Sequence, residues 1–327
     1  MLAQLLVGEP HQGLKYMFQM MNEARVGVGF GAAVIGYRGY MHSLEYAKDR
    51  LQGRKPSEKN PEAPQVPIIE HADVRRMLLA QKAYSEGGLA LCLYGARLMD
   101  DQHTHPDEQK RMEAGKLLDL LTPVIKAWPS EFGPKANDLA IQVYGGAGYT
   151  REYPVEQCWR DNRLNPIHEG TNGIQALDLL GRKIWQDQSH GLQLLMQEMQ
   201  VDLEAATTDR CQQWALSLSE TLQQAVKVTQ SLGKSLMSED PDRVLANASC
   251  YLHLFGHIIV SWMWLRQANA AAKALGSANS DEERNFYQGK LQAAQYFFHW
   301  ELPTVAQDLV LLRNQDDTCM NMKPEWF

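Results

Sequence analysis

The sequence of 327 residues lacks any concentration of positive charge. It carries 32 Lys and Arg against 39 Asp and Glu, a net charge of −7, and has no basic run. Proteins that bind nucleic acid need a basic surface that neutralises phosphates. The composition therefore excludes nucleic acid as an expected partner.

Cysteine is sparse as well. The five cysteines are scattered along the chain, none forms a CxxC pair, and their number is odd. A disulfide framework or a zinc site would need paired or regularly spaced thiols. We therefore predict free thiols in a reducing compartment, no metal site and a cytoplasmic protein.

Long hydrophobic runs are also missing. Residues 1–7 are too few and too uncharged to form a signal peptide. The most apolar later stretch, residues 252–265, contains two histidines and is shorter than the roughly 20 residues of a bilayer span. The sequence therefore predicts no membrane span.

Helical periodicity, in contrast, is present almost throughout. Residues 1–13 are the exception, because Leu5-Leu6-Val7 is typical of a short strand before a turn, and one strand cannot satisfy its own backbone groups. From Leu14 onward apolar residues recur at spacings of three and four. This pattern predicts helices over about 14–50, 73–101, 107–128, 134–144 and 172–188. Pro129 is predicted to break the chain between the third and the fourth.

Small residues are concentrated in the first predicted helix. Gly27, Gly29, Gly31 and Gly36 lie within ten residues of one another. Because glycine lowers helix propensity, this density indicates the close approach of another helix or of a ligand, and we favour helix packing.

After about residue 189 the pattern becomes that of a helical bundle. Apolar stripes with helical spacing are separated by short breaks near 208–210, 238–242 and 276–282, which favours antiparallel neighbours. The predicted fold class is therefore all-α. It comprises a residual β segment (1–13), a helical domain (14–188) and an additional antiparallel helical bundle (189–327).

Two segments carry residues suited to chemistry, and each also has a purely structural interpretation. Residues 145–148 form a glycine-rich turn after a predicted helix, which permits close approach of a ligand but also suits a helix C-cap. Glu169 stands directly before a helix start that Thr171 or Asn172 would cap, where a carboxylate favours the positive helix end. Local sequence alone leaves both interpretations open.

Four separated motifs, taken together, resemble a known family. They are QVYGGAGY at 142–149, EYPVE at 152–156, RD at 160–161 and IHEGT at 167–171. Their order and spacing resemble the signature of acyl-CoA dehydrogenases, over about residues 1–188. The remainder is similar to the extra helical domain of a long subgroup that includes methylmercaptopropionyl-CoA dehydrogenases. The fold implied is the end of a β-domain followed by helical domains.

The resemblance implies a reaction as well. In the family a Glu removes the α-proton of an acyl-CoA thioester while FAD takes the β-hydride, giving a trans-2-enoyl-CoA, and the matching residue here is Glu169. Such chemistry needs a carboxylate over the substrate in a site closed to water. Some relatives carry the base on the first helix, at the position of Ala24, which cannot act. His168 stands where the family often has Tyr.

The matched motifs imply further site residues near that base. Asn22, Arg25 and Gly170 are implied on the acyl-CoA side. Thr171 and Gly173 are implied to contact FAD directly after the base.

A second set of implied flavin contacts would act between subunits. Arg50 matches a residue that reaches the flavin pyrophosphate of a neighbouring subunit, a role suited to guanidinium. Gln142, Gly145 and Gly146 match residues that cradle the adenine side of that same flavin. The partners implied are an acyl-CoA substrate, an electron-transfer flavoprotein and further copies of the chain in a homodimer or homotetramer.

Much of the flavin-covering half of such enzymes has no counterpart in these 327 residues. We therefore expect this chain alone to bind FAD weakly or not at all and to be inactive. The alternative is a non-catalytic helical oligomerisation or regulatory module derived from the family, whose site residues are relics. Within the enzyme class, an oxygen-reactive acyl-CoA oxidase is a further alternative.

Overall fold

The structure is a computed structural model that describes residues 8–327, apart from the side chains of residues 15, 18 and 19. The described part folds into eleven α-helices: α1 Gly13–Asp49, α2 Ala72–Thr104, α3 Glu108–Tyr144, α4 Val155–Asn162, α5 Asn172–Gly181, α6 His190–Glu204, α7 Asp209–Ser238, α8 Pro241–Leu245, α9 Ala248–Leu275, α10 Asp281–Tyr296 and α11 Ala306–Asn314. Among these residues the one β-bridge joins Leu51 and Pro67. The predicted all-α fold is confirmed, while the strand predicted at residues 5–7 lies outside the described residues.

Helices α1 and α3 run parallel to each other at very close approach. A Cβ atom built on Gly29 of α1 would collide with the carbonyl oxygen of Ile125 on α3, and one built on Gly36 would lie 3.2 Å from the Cα of Gly133. Gly27 and Gly31, in contrast, have no such neighbour within 4 Å. The predicted helix packing is therefore confirmed for Gly29 and Gly36, but Gly27 and Gly31 face open space.

The prediction that Pro129 breaks the chain is wrong. Helix α3 runs without interruption through Pro123, Pro129 and Pro134. A proline leaves the carbonyl four residues earlier without its helical partner, which for Pro129 is the carbonyl of Ile125. This is the same carbonyl that faces Gly29. The helix persists because close packing on α1 outweighs the local preference of proline.

Helix α5 is shorter than predicted. It ends at Gly181, and the backbone leaves the helical region at residues 186–189, where Asp187, Gln188 and Ser189 have φ values of 47°, 56° and 63°. The carbonyl of Leu180 accepts a hydrogen bond from Nε1 of Trp185, which replaces a further helical turn. The later breaks are confirmed, because α7 begins at Asp209, ends at Ser238, and α10 begins at Asp281.

Helix α9 is the central buried element of the second bundle. It is the one helix in residues 8–327 long and apolar enough to cross a membrane, and 83% of its apolar window is buried inside the structure. Nε1 of Trp264 donates to the carbonyl of Ala83 on α2 at 3.1 Å. A Cβ atom on Gly256 would lie 2.8 Å from the indole of Trp128 on α3. Helix α9, which follows residue 189, thus packs on two helices that precede it. The division into domains at residue 189 stays a prediction.

Candidate active site

Glu169 lies in a left-handed turn between α4 and α5. The φ angles are 55° at Glu169 and 85° at Gly170. A left-handed conformation costs a residue with a side chain about 1–2 kcal/mol, whereas glycine adopts it freely. Directly after the turn, Oγ1 of Thr171 accepts a hydrogen bond from the backbone N–H of Ile174 at 3.3 Å. Thr171 is therefore the N-cap of α5.

Buried hydrogen bonds hold this unusual turn in place. The side chain of Gln175 is inaccessible to solvent, and its Nε2 donates to the carbonyls of Glu169 and Gly170 at 3.2 and 3.3 Å. The side chain of Glu169 is exposed and makes no hydrogen bond or ion pair with any described residue. Gln175 therefore fixes the backbone of the turn, while the Glu169 side chain stays on the surface.

A series of amide side chains connects the same segment to α1 and α3. Nδ2 of Asn162 donates to Oδ1 of Asn137 at 2.7 Å and to the carbonyl of Ala32 at 3.1 Å. Nδ2 of Asn165 donates to Oδ1 of Asn162 at 2.8 Å, and Nε2 of His168 lies 3.1 Å from Oδ1 of Asn165. The residue preceding Glu169 is therefore anchored to the helical core. These asparagines were not among the predicted site residues.

Arg25 lies next to the Glu169 turn. It is only 6% exposed, and its Nη1 is 3.5 Å from Oδ2 of Asp178. Its Nη2 lies 3.8 Å from the point where a Cβ atom on Gly170 would stand. Arg25, Asp178 and Asn22 line one cleft of about 550 Å³ between α1 and α5. Three residues predicted on the acyl-CoA side, Asn22, Arg25 and Gly170, are thus brought together.

A second group of predicted residues lies at the other end of α1. Arg50 is the C-cap of α1, and Tyr46, one turn earlier, stacks on Tyr144 at the end of α3 with ring centroids 4.1 Å apart. The exposed residues 145–146 follow, and a Cβ atom on either would have no neighbour within 4 Å. The exposed side chains of Arg50 and Gln142 make no hydrogen bond or ion pair within residues 8–327.

The two groups of predicted residues are far apart within one chain. About 25 residues of α1 separate Arg25 from Arg50, which corresponds to about 38 Å at the rise of an α-helix. Thr171 and Gly173 belong to the group near Arg25, because they begin α5 directly after the Glu169 turn. The structure therefore brings six of the ten predicted site residues together and places the other four at the opposite end.

Two family models match the chain in succession. Residues 11–185 match the model described as "Acyl-CoA dehydrogenase, C-terminal domain". Residues 195–323 match the model described as "Acetyl-CoA dehydrogenase C-terminal like". The first match alone covers more than half of the chain.

Curated relatives agree with these matches. The chain is 35% identical to the 3-methylmercaptopropionyl-CoA dehydrogenase of Ruegeria pomeroyi over 89% of this chain and 49% of the relative. It is 33% identical to the broad-specificity linear acyl-CoA dehydrogenase FadE5 of Mycobacterium tuberculosis over 98% of this chain and 54% of the relative. The chain spans about half the length of the curated relatives it matches.

Solved structures share the fold over almost the whole chain. Caenorhabditis elegans ACDH-11 in complex with C11-CoA superposes with a TM-score of 0.74 at 17% identity, covering 98% of this chain and 47% of that one. An acyl-CoA dehydrogenase complexed with FAD from Bacillus anthracis gives 0.70 at 19% identity, covering 96% and 52%. These TM-scores establish the fold alone. From the match over residues 11–185 it follows that the chain belongs to the acyl-CoA dehydrogenase family, whose cofactor is FAD.

Proposed function

We propose that this chain supplies the catalytic base and part of the flavin site for α,β-dehydrogenation of an acyl-CoA thioester to a trans-2-enoyl-CoA. The observation that carries the proposal is the unpaired carboxylate of Glu169, displayed on a left-handed turn that Gln175 holds from inside the fold. A general base needs a free oxygen to accept the proton, and Gln175 fixes the backbone that carries this carboxylate.

The residues around Glu169 have distinct roles in this proposal. A carboxylate oxygen of Glu169 takes the α-proton, and bound FAD supplies the acceptor for the β-hydride. Gly170 has no side chain to obstruct the thioester. Asn22 and Arg25 line the cleft beside the turn and bind the acyl-CoA. The pairing of Arg25 with Asp178 orients the guanidinium.

We further propose that each flavin is held by two copies of the chain. Thr171 and Gly173 contact the FAD of their own copy, where the exposed start of α5 suits a polar or anionic group. Arg50, at the far end of α1, reaches the pyrophosphate of the neighbouring copy's FAD. The separation of about 38 Å along α1 supports this division, because it exceeds the length of one extended FAD. The chain then acts as a homodimer or homotetramer.

Gln142, Gly145 and Gly146 complete the proposed site of the neighbouring copy. Their exposed positions and the open space at both glycines fit contact with a large ligand. An electron-transfer flavoprotein reoxidises the flavin in this proposal. The five cysteines, all free, are consistent with a reducing, cytoplasmic location.

The test compares residues 1–327 with the product of the complete reading frame in which they are encoded. We expect residues 1–327 alone to hold little flavin, because the proposed contacts at both ends of α1 lie open to solvent. The complete product should carry FAD, and anaerobic acyl-CoA should bleach its visible flavin absorbance as enoyl-CoA forms.

Two outcomes would change the conclusion. A stoichiometric flavin spectrum in purified residues 1–327 would contradict the expected weak binding. A complete product that binds neither FAD nor acyl-CoA would instead support the non-catalytic helical module, in which Glu169 and its neighbours have no catalytic role.

A further inference from the structure

The cleft of about 550 Å³ beside the Glu169 turn extends along α5. Its walls include Ile174 in the first turn of α5 and Arg182, the C-cap of the same helix. At the rise of an α-helix these two residues are about 12 Å apart along the axis. The cleft therefore has one end at the proposed base and the other end beside Arg182.

Positive charge is in excess at the end near Arg182. Oδ1 of Asp178 accepts a hydrogen bond from Nε of Arg182 at 2.8 Å and lies 2.6 Å from its Nη2. Oδ2 of the same carboxylate lies 3.5 Å from Nη1 of Arg25. Lys183 also lines the cleft, but it is buried and bonds to Asp119 of α3. Among the described residues, two guanidiniums thus share one carboxylate, and one positive charge in the cleft is not balanced.

Both guanidiniums also have donors without an acceptor. Arg25 is only 6% exposed, and its Nε has no hydrogen-bond partner within residues 8–327. Arg182 is exposed at the cleft, and its Nη1 makes no hydrogen bond in that part of the chain. A poorly paired cation near the protein interior favours an anionic ligand. The planar fork of guanidinium donors fits the oxygens of a phosphate group.

The cleft matches the layout of an acyl-CoA molecule. Gly170 lies at one end, where the thioester would react, and the unbalanced charge lies at the other. Between them the half-exposed side chains of Ile174 and Leu177 form an apolar wall. Such a wall suits the uncharged pantetheine arm, which separates the thioester of acyl-CoA from its phosphates.

We propose that Arg182, together with Arg25, binds a phosphate group of the CoA moiety, so that acyl-CoA lies along α5 with its thioester at the Glu169 turn. This inference rests on the proposed function and adds a substrate-binding residue that the sequence motifs did not indicate. Asp178 holds both guanidiniums through its two oxygens. The 3′-phosphate and the pyrophosphate of CoA offer the same kind of acceptor, and the experiment distinguishes them.

Two variants of Arg182 and one control separate phosphate binding from the ion pair on the helix. Arg182→Gln removes the charge, whereas Arg182→Lys keeps the charge but loses the fork of donors. Arg97→Gln is the matched control. Arg97 of α2 also pairs with an Asp four residues away, with Nε 3.2 Å from Oδ2 of Asp101, and its side chain is 64% exposed against 57% for Arg182.

The measurement is isothermal titration calorimetry of the complete, FAD-loaded protein with CoA and with dephospho-CoA, which lacks the 3′-phosphate. We expect Arg182→Gln to weaken the binding of CoA about tenfold, because a charge-assisted hydrogen bond is lost. Arg182→Lys should weaken it about threefold, and Arg97→Gln should leave it unchanged. If the effect of Arg182→Gln disappears with dephospho-CoA, the partner is the 3′-phosphate; if the effect persists, the partner is the pyrophosphate.

Unchanged CoA affinity in Arg182→Gln would overturn the proposal. A purely structural Arg182 would lower the thermal midpoint as Arg97→Gln does, without any change in CoA affinity. Because binding of CoA needs no turnover, such a result leaves the proposed reaction standing. Conversely, if the complete protein forms no enoyl-CoA but loses CoA affinity in Arg182→Gln, the reaction is refuted and the phosphate site remains.

Discussion

Replacing Glu169 with Gln in the complete, FAD-loaded protein should lower the exchange of the substrate α-proton with solvent by about 10³-fold or more. The amide has nearly the same shape as the carboxylate but cannot accept the proton. Because the Glu169 carboxylate has no hydrogen-bond partner among the described residues, the substitution should change the free energy of unfolding by less than about 0.5 kcal/mol. FAD should stay bound. Deuterium incorporation into acyl-CoA, followed by mass spectrometry, measures the effect.

Glu23→Gln is the matched control for this experiment. Glu23 is exposed on α1, in the same region as Asn22 and Arg25, and neighbours Ala24, the position at which some relatives carry the base. The variant removes one carboxylate near the cleft and should keep normal exchange. If Glu23→Gln abolished exchange and Glu169→Gln preserved it, the base would belong to α1.

Replacing Gly29 with Ala should destabilise the fold by about 3 kcal/mol. The new Cβ atom would collide with the carbonyl oxygen of Ile125, a backbone atom that cannot move away as a flexible side chain would. Helices α1 and α3 would have to separate along a shared buried surface. Urea unfolding of residues 1–327, followed by circular dichroism, measures the change in the free energy of unfolding.

The same helix provides a control for intrinsic helix propensity. Gly27 is exposed, and a Cβ atom there would meet no other residue within 4 Å. Gly27→Ala should therefore stabilise the fold by about 0.5–1 kcal/mol, because alanine favours the helix. Equal effects of the two substitutions would show that the close approach of α1 and α3 contributes little to stability.

The contrast between these two glycines illustrates what sequence can predict of the fold. Helical periodicity and capping residues located most helices, because they depend on neighbours within a few residues. The density of glycine indicated close packing but did not distinguish Gly29 from Gly27. Pro129 was wrongly predicted to break the helix for the same reason. It leaves the carbonyl of Ile125 without a helical partner, and the close packing around that carbonyl depends on Gly29, almost a hundred residues earlier in the chain.

The candidate site divides in a similar way. Glu169, Arg25 and Gly170 were predicted from motifs, and the structure brings them to one place. Two buried polar residues, Lys126 of α3 and Asn162 of α4, were not predicted. Only their hydrogen-bond partners, which the sequence does not reveal, distinguish them from other polar residues. Asn162 bonds to the carbonyl of Ala32, and Lys126 bonds to that of Asn165. No local pattern encodes contacts over such separations.

The position of helix α9 has a consequence for how the protein unfolds. Trp264 and Gly256 of α9 contact α2 and α3. If the second bundle separated from the helices before residue 189, the indole of Trp128 would become exposed to solvent. Heating residues 1–327 should therefore produce one calorimetric transition, whose calorimetric and van't Hoff enthalpies agree. Two resolved heat-absorption peaks would contradict this. A chain truncated at residue 189 should aggregate, because truncation would expose an apolar surface that is otherwise buried.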